Sequence, residues 1–335
     1  MRDFTALITS DLHLTDRARD KYRFGLFKFL AKQQEKYNVD ATFLLGDITD
    51  SKDRHSSILV NRIVDELTGL KPPVYVLLGN HDYTNPESPY FKFLNCIEGI
   101  RFITKPTFNK RLGIAFVPHC GDQATFDAAV GQMPSKPFMF LGHNTFDGAK
   151  AETGSRLSGL RASPIESLGA TLSYSGDVHV PQQCGPVAYV GAPYHVRFGD
   201  QFEPRVLLIR GERETDLHFD CPRKLSLTIR NASELLENKS IRPSDQVKLF
   251  VNLGREERVE WQHHKRQIIA ACQKLGVEIY GVELNVTNIQ GTITKAAEIR
   301  DASPAKIVEA FCRREKVPHN IKEVGLELID DKSGS

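Results

Sequence analysis

Several apolar runs in this 335-residue chain end at a Gly or Ser and then present Asp, Asn or His. They give Asp11 and His13 in "SDLH", Asp47 in "LLGD", Asn80 and His81 in "LLGNHD", His143 in "FLGH", and Asp177 and His179 in "SGDVH". Taken singly, each has an ordinary explanation. An Asp after a strand is commonly a turn former or helix N-cap, and a lone His is more often a satisfied surface or core residue than a ligand. Five coincidences of one kind favour a common purpose. Carboxylate and amide oxygens mixed with imidazoles suit octahedral manganese, iron or magnesium, with zinc also compatible, and the lack of cysteine in the set disfavours a soft-metal site. One carboxylate shared between two ions would hold them ~3.5–4 Å apart, the spacing of two-metal phosphoester hydrolysis.

For these side chains to meet, the segments that carry them must be strands of one architecture. Over the first 220 or so residues, short apolar runs ("TALITSD", "ATFLLGD", "PVYVLLGN") alternate with amphipathic stretches ("FGLFKFLAKQQEKY", "SSILVNRIVDELTGL"), a β-α-β-α-β signature. The runs "LGIAFVPH", "PFMFLGH", "TLSYSGD", "PVAYVGAP" and "RVLLIRG" follow with few helical stretches, which predicts a second sheet packed on the first. In an open α/β sheet ligands bind at the carboxyl ends of the strands, where these residues stand. The glycines before Asp47, Asn80, His143 and Asp177 are expected to permit tight turns that aim the next side chain inward.

Composition limits the alternatives. A hydrophobic share of 40% and a charged share of 26% are globular values. Lys+Arg 44 against Asp+Glu 42 leaves +2, so net charge makes no case for nucleic acid or anionic membrane, although a local basic groove is compatible with it. Six cysteines without a Cys-x-x-Cys fit reduced thiols. The start "MRDFTALITSDLH" has no apolar signal core, and no stretch reaches the ~18 apolar residues of a membrane span, so a soluble, cytoplasmic protein without a membrane partner is expected. There is no Gly-x-x-x-x-Gly-Lys motif, so any coupling to ATP must come from a partner.

In their order, "DLH", "GDITD", "GNHD", "GH" and "GDVH" resemble the five motifs of the calcineurin-like metallophosphoesterases, spread over positions 11 to 179. Within that superfamily, "GDVHVPQQCGPVAYVGAPYHVRFGD" is similar to the SbcD-type (meiotic-recombination) DNA repair nucleases, and the short chain resembles the phage recombination-nuclease branch. The resemblance implies a two-sheet αββα sandwich over residues 1–222. It implies that Asp11, His13, Asp47 and His179 bind one divalent ion, with Asp47 bridging and Asn80, His143 and Asp177 completing the second. Manganese is the ion expected. Most relatives place a histidine where this chain has Asp177, which adds a negative charge there. His81 resembles the family histidine that contacts the scissile phosphate or protonates the leaving oxygen, and His55 in "DSKDRHSS" resembles a supporting one. "RHSS" reads equally well as a helix cap. His119 and His195 match no motif and are expected to be structural.

Beyond residue 222, "KLSLTIRNA", "QVKLFVNLG", an amphipathic helix around "RVEWQHHKRQIIAACQKLG" and "VEIYGVELNV" predict a small α/β domain over 223–290, where the family carries a DNA-capping domain. The "QHHKR" run is more often a solvated helix face than a phosphate contact, and Trp261 is expected to anchor packing. A polar linker over 291–302 leads to two short helices in 303–335, the first opened by Ser303-Pro304 as N-cap and first helical residue. Ile307, Val308 and Phe311 form one apolar face there, and Ile321, Val324 and Leu328 another. The family attaches an SMC-like coiled-coil ATPase of SbcC type through such a segment. Two functions follow: a metal-dependent DNA exo- or endonuclease subunit acting with that ATPase in recombination and repair, in a bacterial or infected host cell and with a homodimer compatible; or a small-molecule or phosphoprotein phosphoesterase with the same two-metal core. The extra residues after 222 favour the first, because a simple phosphatase has little need for them.

Overall fold

The computed structural model describes residues 4–254 and 257–285. Four parallel strands come first: β1 (Thr5–Thr9), β2 (Ala41–Leu44), β3 (Val74–Leu77) and β4 (Ile100–Ile103). The chain then builds a second sheet from β5 (Thr107–Asn109), β6 (Ile114–Val117), β7 (Met139–His143), β8 (Leu172–Gly176), β9 (Gln182–Cys184) and β10 (Val187–Tyr189). It returns to the first sheet with β11 (Val206–Arg210), antiparallel to β1, and β12 (Arg213–Leu217). The orders are β12-β11-β1-β2-β3-β4 and β5-β6-β7-β8-β10-β9.

Period-2 alternation divides each central strand between two cores. Ala6 and Ile8 of β1, with Phe43, Tyr75, Leu77, Ile114, Phe116, Met139 and Leu141, fill the space between the sheets. Phe43 stacks on Tyr75 at 5.2 Å, and Tyr75 on Phe116 at 5.5 Å. Leu7, Leu44, Val74 and Val76 point the other way, into helices α1 (Gly25–Tyr37) and α2 (Ser57–Thr68). In α1 the buried Leu26, Phe27, Leu30, Gln33 and Gln34 recur at helical spacing, and Asn38, left-handed at φ 49°, ends the helix. In α2 the buried Leu59, Ile63 and Leu67 do the same, and Ser56 caps the start by accepting from the Leu59 N–H at 3.2 Å. Helices α3 (Gln123–Gly131) and α4 (Ser163–Leu168) cover the second sheet through Phe126, Val130 and Ile165. The layers are αββα, as the sequence predicts.

Residues 224–285 add a parallel three-stranded sheet, β13 (Lys224–Ile229), β14 (Gln246–Asn252) and β15 (Glu278–Asn285), with α5 (Ala232–Glu237) and α6 (Trp261–Leu275). Its core is Ile229, Leu235, Val247, Leu249, Val251, Ile268 and Cys272, and Trp261 packs against it. Polar contacts join it to the larger body. Lys224 Nζ lies 3.1 Å from Asp20 Oδ1, Gln246 Nε2 donates to the Arg19 carbonyl at 2.7 Å, and Arg19 pairs with Glu278 at 3.1 Å. The linker at 291–302 and the helices at 303–335 lie outside the described residues. Among those described, no helix is long and apolar enough to cross a membrane.

Candidate metal centre

The topology brings the strand ends together. β1, β2 and β3 are neighbours in one sheet, and β7 and β8 in the other, so Asp11, Asp47, Asn80, His143 and Asp177 leave five parallel carboxyl ends toward one place. Asp11, His13, Asp47, His143 and His179 are all buried. Asp11 (φ 57°), His13 (φ 40°), Asp47 (φ 54°) and Asp177 (φ 79°) occupy the left-handed region, each at an ordinary cost of ~1–3 kcal/mol. That strain is concentrated where side chains must converge.

The glycines serve a purpose beyond the predicted turns, of which the one opened by Gly79 closes with the Asp82 N–H donating to the Gly79 carbonyl at 3.2 Å. Only Gly46, at φ 87°, has the backbone of a glycine turn. At Gly79 a Cβ would stand 2.3 Å from Asp47 Oδ1, and at Gly176 it would stand 2.0 Å from Ser10 Oγ and 2.7 Å from His143 Nδ1. These positions need glycine because polar side chains pass over the backbone there.

The imidazoles share one arrangement. His179 Nδ1 lies 3.0 Å from Glu152 Oε1, His13 Nδ1 lies 3.6 Å from Asp50 Oδ1, His81 Nδ1 donates to the Asp50 carbonyl at 3.1 Å, and His143 Nδ1 donates to the Leu45 carbonyl. At His81 and His143 the carbonyl assigns the proton to Nδ1 and leaves Nε2 with its lone pair in the neutral ring, whereas Nδ1 of His13 and of His179 has a carboxylate nearby without a hydrogen bond. The Nε2 atoms of His13 and His179 nevertheless face each other at 3.2 Å, with Asp47 Oδ2 at 3.5 Å from the former. His143 Nε2 faces Asp47 Oδ1 at 3.3 Å, Asn80 Oδ1 at 3.4 Å and Asp177 Oδ1 at 3.8 Å. Lone pairs converging in this way need a cation between them, either protons or a metal ion.

The titration behaviour of the chain alone reflects this. Burial depresses His143, but Asp47 and Asp11 outweigh it and hold its pKa well above the ordinary value. His179 is likewise raised by Glu152 and Asp11 against burial. Burial opposes ionisation of Asp47, yet His143 and His13 hold its carboxyl far below the ordinary range. Asp11 is pushed up by burial, and its Oδ2 has no hydrogen-bond partner. Ligand atoms of Asp11, His13 and His179, of Asp11, Asp47 and His143, and of His13, Asp47 and His81 lie within 4.8 Å of one another. The donor set fits two divalent ions.

Other residues stand at the edge of this cluster. Asp177 Oδ2 accepts from Thr145 Oγ1 at 2.6 Å, its N–H donates to Asp11 Oδ1 at 3.2 Å, and it belongs to none of the three groups. His81 is half-buried, and its N–H donates to Asp47 Oδ1 at 2.9 Å. His55 is not joined to the cluster by a hydrogen bond or ion pair among the described residues. Its ring packs on Tyr90 at 4.4 Å and Phe91 at 5.1 Å, with Nε2 at 3.2 Å from the Lys52 carbonyl. The neighbouring Ser56 is the cap. His119 hydrogen-bonds Tyr83 at 2.8 Å, and His195 contacts the Phe202 carbonyl at 3.0 Å.

Sequence reasoning missed the carboxylates behind the converging imidazoles. Asp50 and Asp82 lie within the quoted "GDITD" and "GNHD", but Glu152 sits in a loop without a pattern. The Glu152 carboxyl is held down at about 2 chiefly by the His179 ring beside it. Glu152→Ala is expected to weaken metal binding about 10–100-fold by releasing the ring's orientation, and a chelator-competition titration measures it. Unchanged affinity would show that the ring is held by packing alone.

No curated sequence matches the chain at a significant level. A solved archaeal phosphodiesterase is 13% identical and aligns over its whole length with 64% of this chain at a TM-score of 0.36. A dimetal phosphatase from Danio rerio is 12% identical and aligns over its whole length with 66% of this chain at a TM-score of 0.39. The profile of the calcineurin-like phosphoesterases matches residues 4–181, which span both sheets through β8 and every strand end described above. With more than half its length in that match, the chain belongs to the calcineurin-like phosphoesterase family.

Proposed function

We propose that the chain is a metal-dependent nuclease subunit that hydrolyses phosphodiester bonds of DNA in recombination and repair. The observation that carries the reading is the second sheet-and-helix unit at 224–285, seated through Lys224 on the same body that holds the ligand cluster. It gives the site a second wall, which an extended polymer needs and a small ester does not.

Asp11, His13, Asp47 and His179 would hold one ion, and Asp47, Asn80, His143 and Asp177 the other. Divalent ions there supply Lewis-acid charge at the phosphoryl oxygens and make water nucleophilic at neutral pH. The chain's own task is to fix its donors: the Leu45 carbonyl holds the His143 ring, and Glu152 and Asp50 stand beside those of His179 and His13, so that little has to reorganise when charge develops. His81, tied by its N–H to Asp47 and by Nδ1 to the Asp50 carbonyl, keeps Nε2 as the nitrogen that passes a proton to the departing sugar oxygen. An SMC-like ATPase of SbcC type would dock on the apolar residues within 303–335 and supply energy coupling.

Degradation of a linear duplex with added manganese, with and without a candidate ATPase, tests the reading. Manganese-dependent loss of duplex is expected. Hydrolysis confined to small phosphoesters or phosphoproteins would replace it with the phosphatase alternative.

Asp177→Ala is expected to raise the manganese concentration for half-maximal hydrolysis about tenfold, and Asp177→His to restore part of the loss. An unshifted manganese titration for Asp177→Ala would reduce Asp177 to a turn residue hydrogen-bonded to Thr145.

A further inference from the structure

Beside the ligand cluster a cleft of about 260 Å³ opens between the catalytic body and the small sheet, with His13 and Asp50 on one wall. Its floor is cationic. Arg23 and Lys224 are 3% and 4% exposed, and they share one carboxylate: Asp20 Oδ1 lies 3.5 Å from Arg23 Nη2 and 3.1 Å from Lys224 Nζ. Their other hydrogen bonds are to backbone carbonyls. Arg23 donates to the His13 and Val196 carbonyls, and Lys224 to the Val196 carbonyl at 3.2 Å. With Arg17 and Arg197, four cations stand against two carboxylates, the buried Asp20 and Asp50 in the cleft wall, which leaves an excess positive charge, and the Lys224 pKa is lowered by burial first and by Arg23 next. Arg17 and Arg197 stand exposed at the lip, Arg17 within 3.7 Å of Asp50.

The far wall is aromatic. Phe198 from the catalytic body and Tyr280 from β15 meet with ring centroids 4.5 Å apart. Tyr280 is 40% exposed, with the Arg19 guanidinium over its ring at 5.1 Å from the centroid. The cleft exists only because the small sheet is docked, since Lys224 and Tyr280 both belong to it.

We propose that this cleft binds the nucleotide next to the scissile bond, with its phosphate between Arg17 and Arg197 and its base against Tyr280. The proposal rests on the nuclease reading and deepens it. The lip arginines, backed by the excess positive charge below them, recognise a phosphate, the exposed ring offers a base a stacking surface, and together they select a nucleotidyl neighbour without reading sequence. The shared wall of His13 and Asp50 sets that neighbour one step from the reacting phosphate.

The test compares kcat/KM for tetrathymidylate with that for bis-p-nitrophenyl phosphate in manganese, for wild type, Arg197→Ala, Tyr280→Ala and Tyr280→Phe. Wild type is expected to prefer the oligonucleotide. Tyr280→Ala should cut that preference about tenfold through KM, with Tyr280→Phe retaining it. Arg197→Ala should also lower the salt dependence of the oligonucleotide KM by about one unit of log–log slope. A wild-type preference left intact in Arg197→Ala and Tyr280→Ala would overturn the cleft assignment alone. A wild type without any preference for the oligonucleotide would overturn the nuclease reading and the cleft with it.

Discussion

Replacing His81 with alanine is expected to lower phosphodiester hydrolysis about 10²–10⁴-fold while the protein keeps its divalent ions. The ring is half-buried, whereas His13, His143 and His179 are buried, and its backbone N–H rather than its side chain is what touches Asp47. The Asp50 carbonyl holds Nδ1, so the side chain presents one nitrogen for proton exchange. Removing it takes away the proton supplied to the leaving oxygen without opening the Asp11, His13 and His179 group. Its ligand atom also lies within 4.8 Å of those of His13 and Asp47, so the assignment can fail in a definite way. Metal content of the purified variant decides: if an ion is lost along with activity, His81 is a ligand.

Asp82→Ala is expected to destabilise the protein by roughly 3 kcal/mol or more, counting about 1–3 kcal/mol for each buried donor left unpaired. The carboxylate is fully buried and accepts from the N–H groups of Gly79 at 2.7 Å, Ile48 at 2.8 Å and Asp47 at 2.9 Å. It thereby ties the turn after β2 to the turn after β3, and with them Asp47 to Asn80. Burial and the neighbouring Asp47 charge push its pKa up to about 7, against an ordinary value of 3.8. A carboxyl raised in the folded state stabilises fully below its unfolded pKa and loses that contribution as pH rises through the folded one. In chelator, the stability of wild type relative to Asp82→Asn should therefore fall between about pH 4 and pH 7. Denaturant melts across that range measure it, and a pH-independent difference would mean that Asp82 stays ionised throughout.

The strand ends were legible in the sequence because parallel topology makes them so. Once apolar runs alternate with amphipathic helices, every carboxyl end faces one edge, and the residue after each run is placed without knowing the packing. What lay behind those residues was not legible. Glu152 reaches His179 from a loop, Thr145 reaches Asp177 across 32 residues, and the Leu45 carbonyl that turns His143 carries no residue-type signal at all. Only part of what the glycines do is legible: turns follow Gly46 and Gly79 as expected, but at Gly79 and Gly176 what excludes a side chain is the crossing of Asp47, Ser10 and His143. His55 shows the limit of a motif neighbour, since its ring is taken by Tyr90 and Phe91. The strands of the small sheet could be read, but its seat on the body rests on Lys224, a residue type rarely buried, which nothing local marks.

Anomalous diffraction from crystals grown in manganese tests the metal centre most directly. Two peaks are expected on either side of Asp47, one among Asp11, His13 and His179 and the other at His143 Nε2. No peak within this cluster would contradict the account, because the converging Nε2 atoms would then be joined by protons alone.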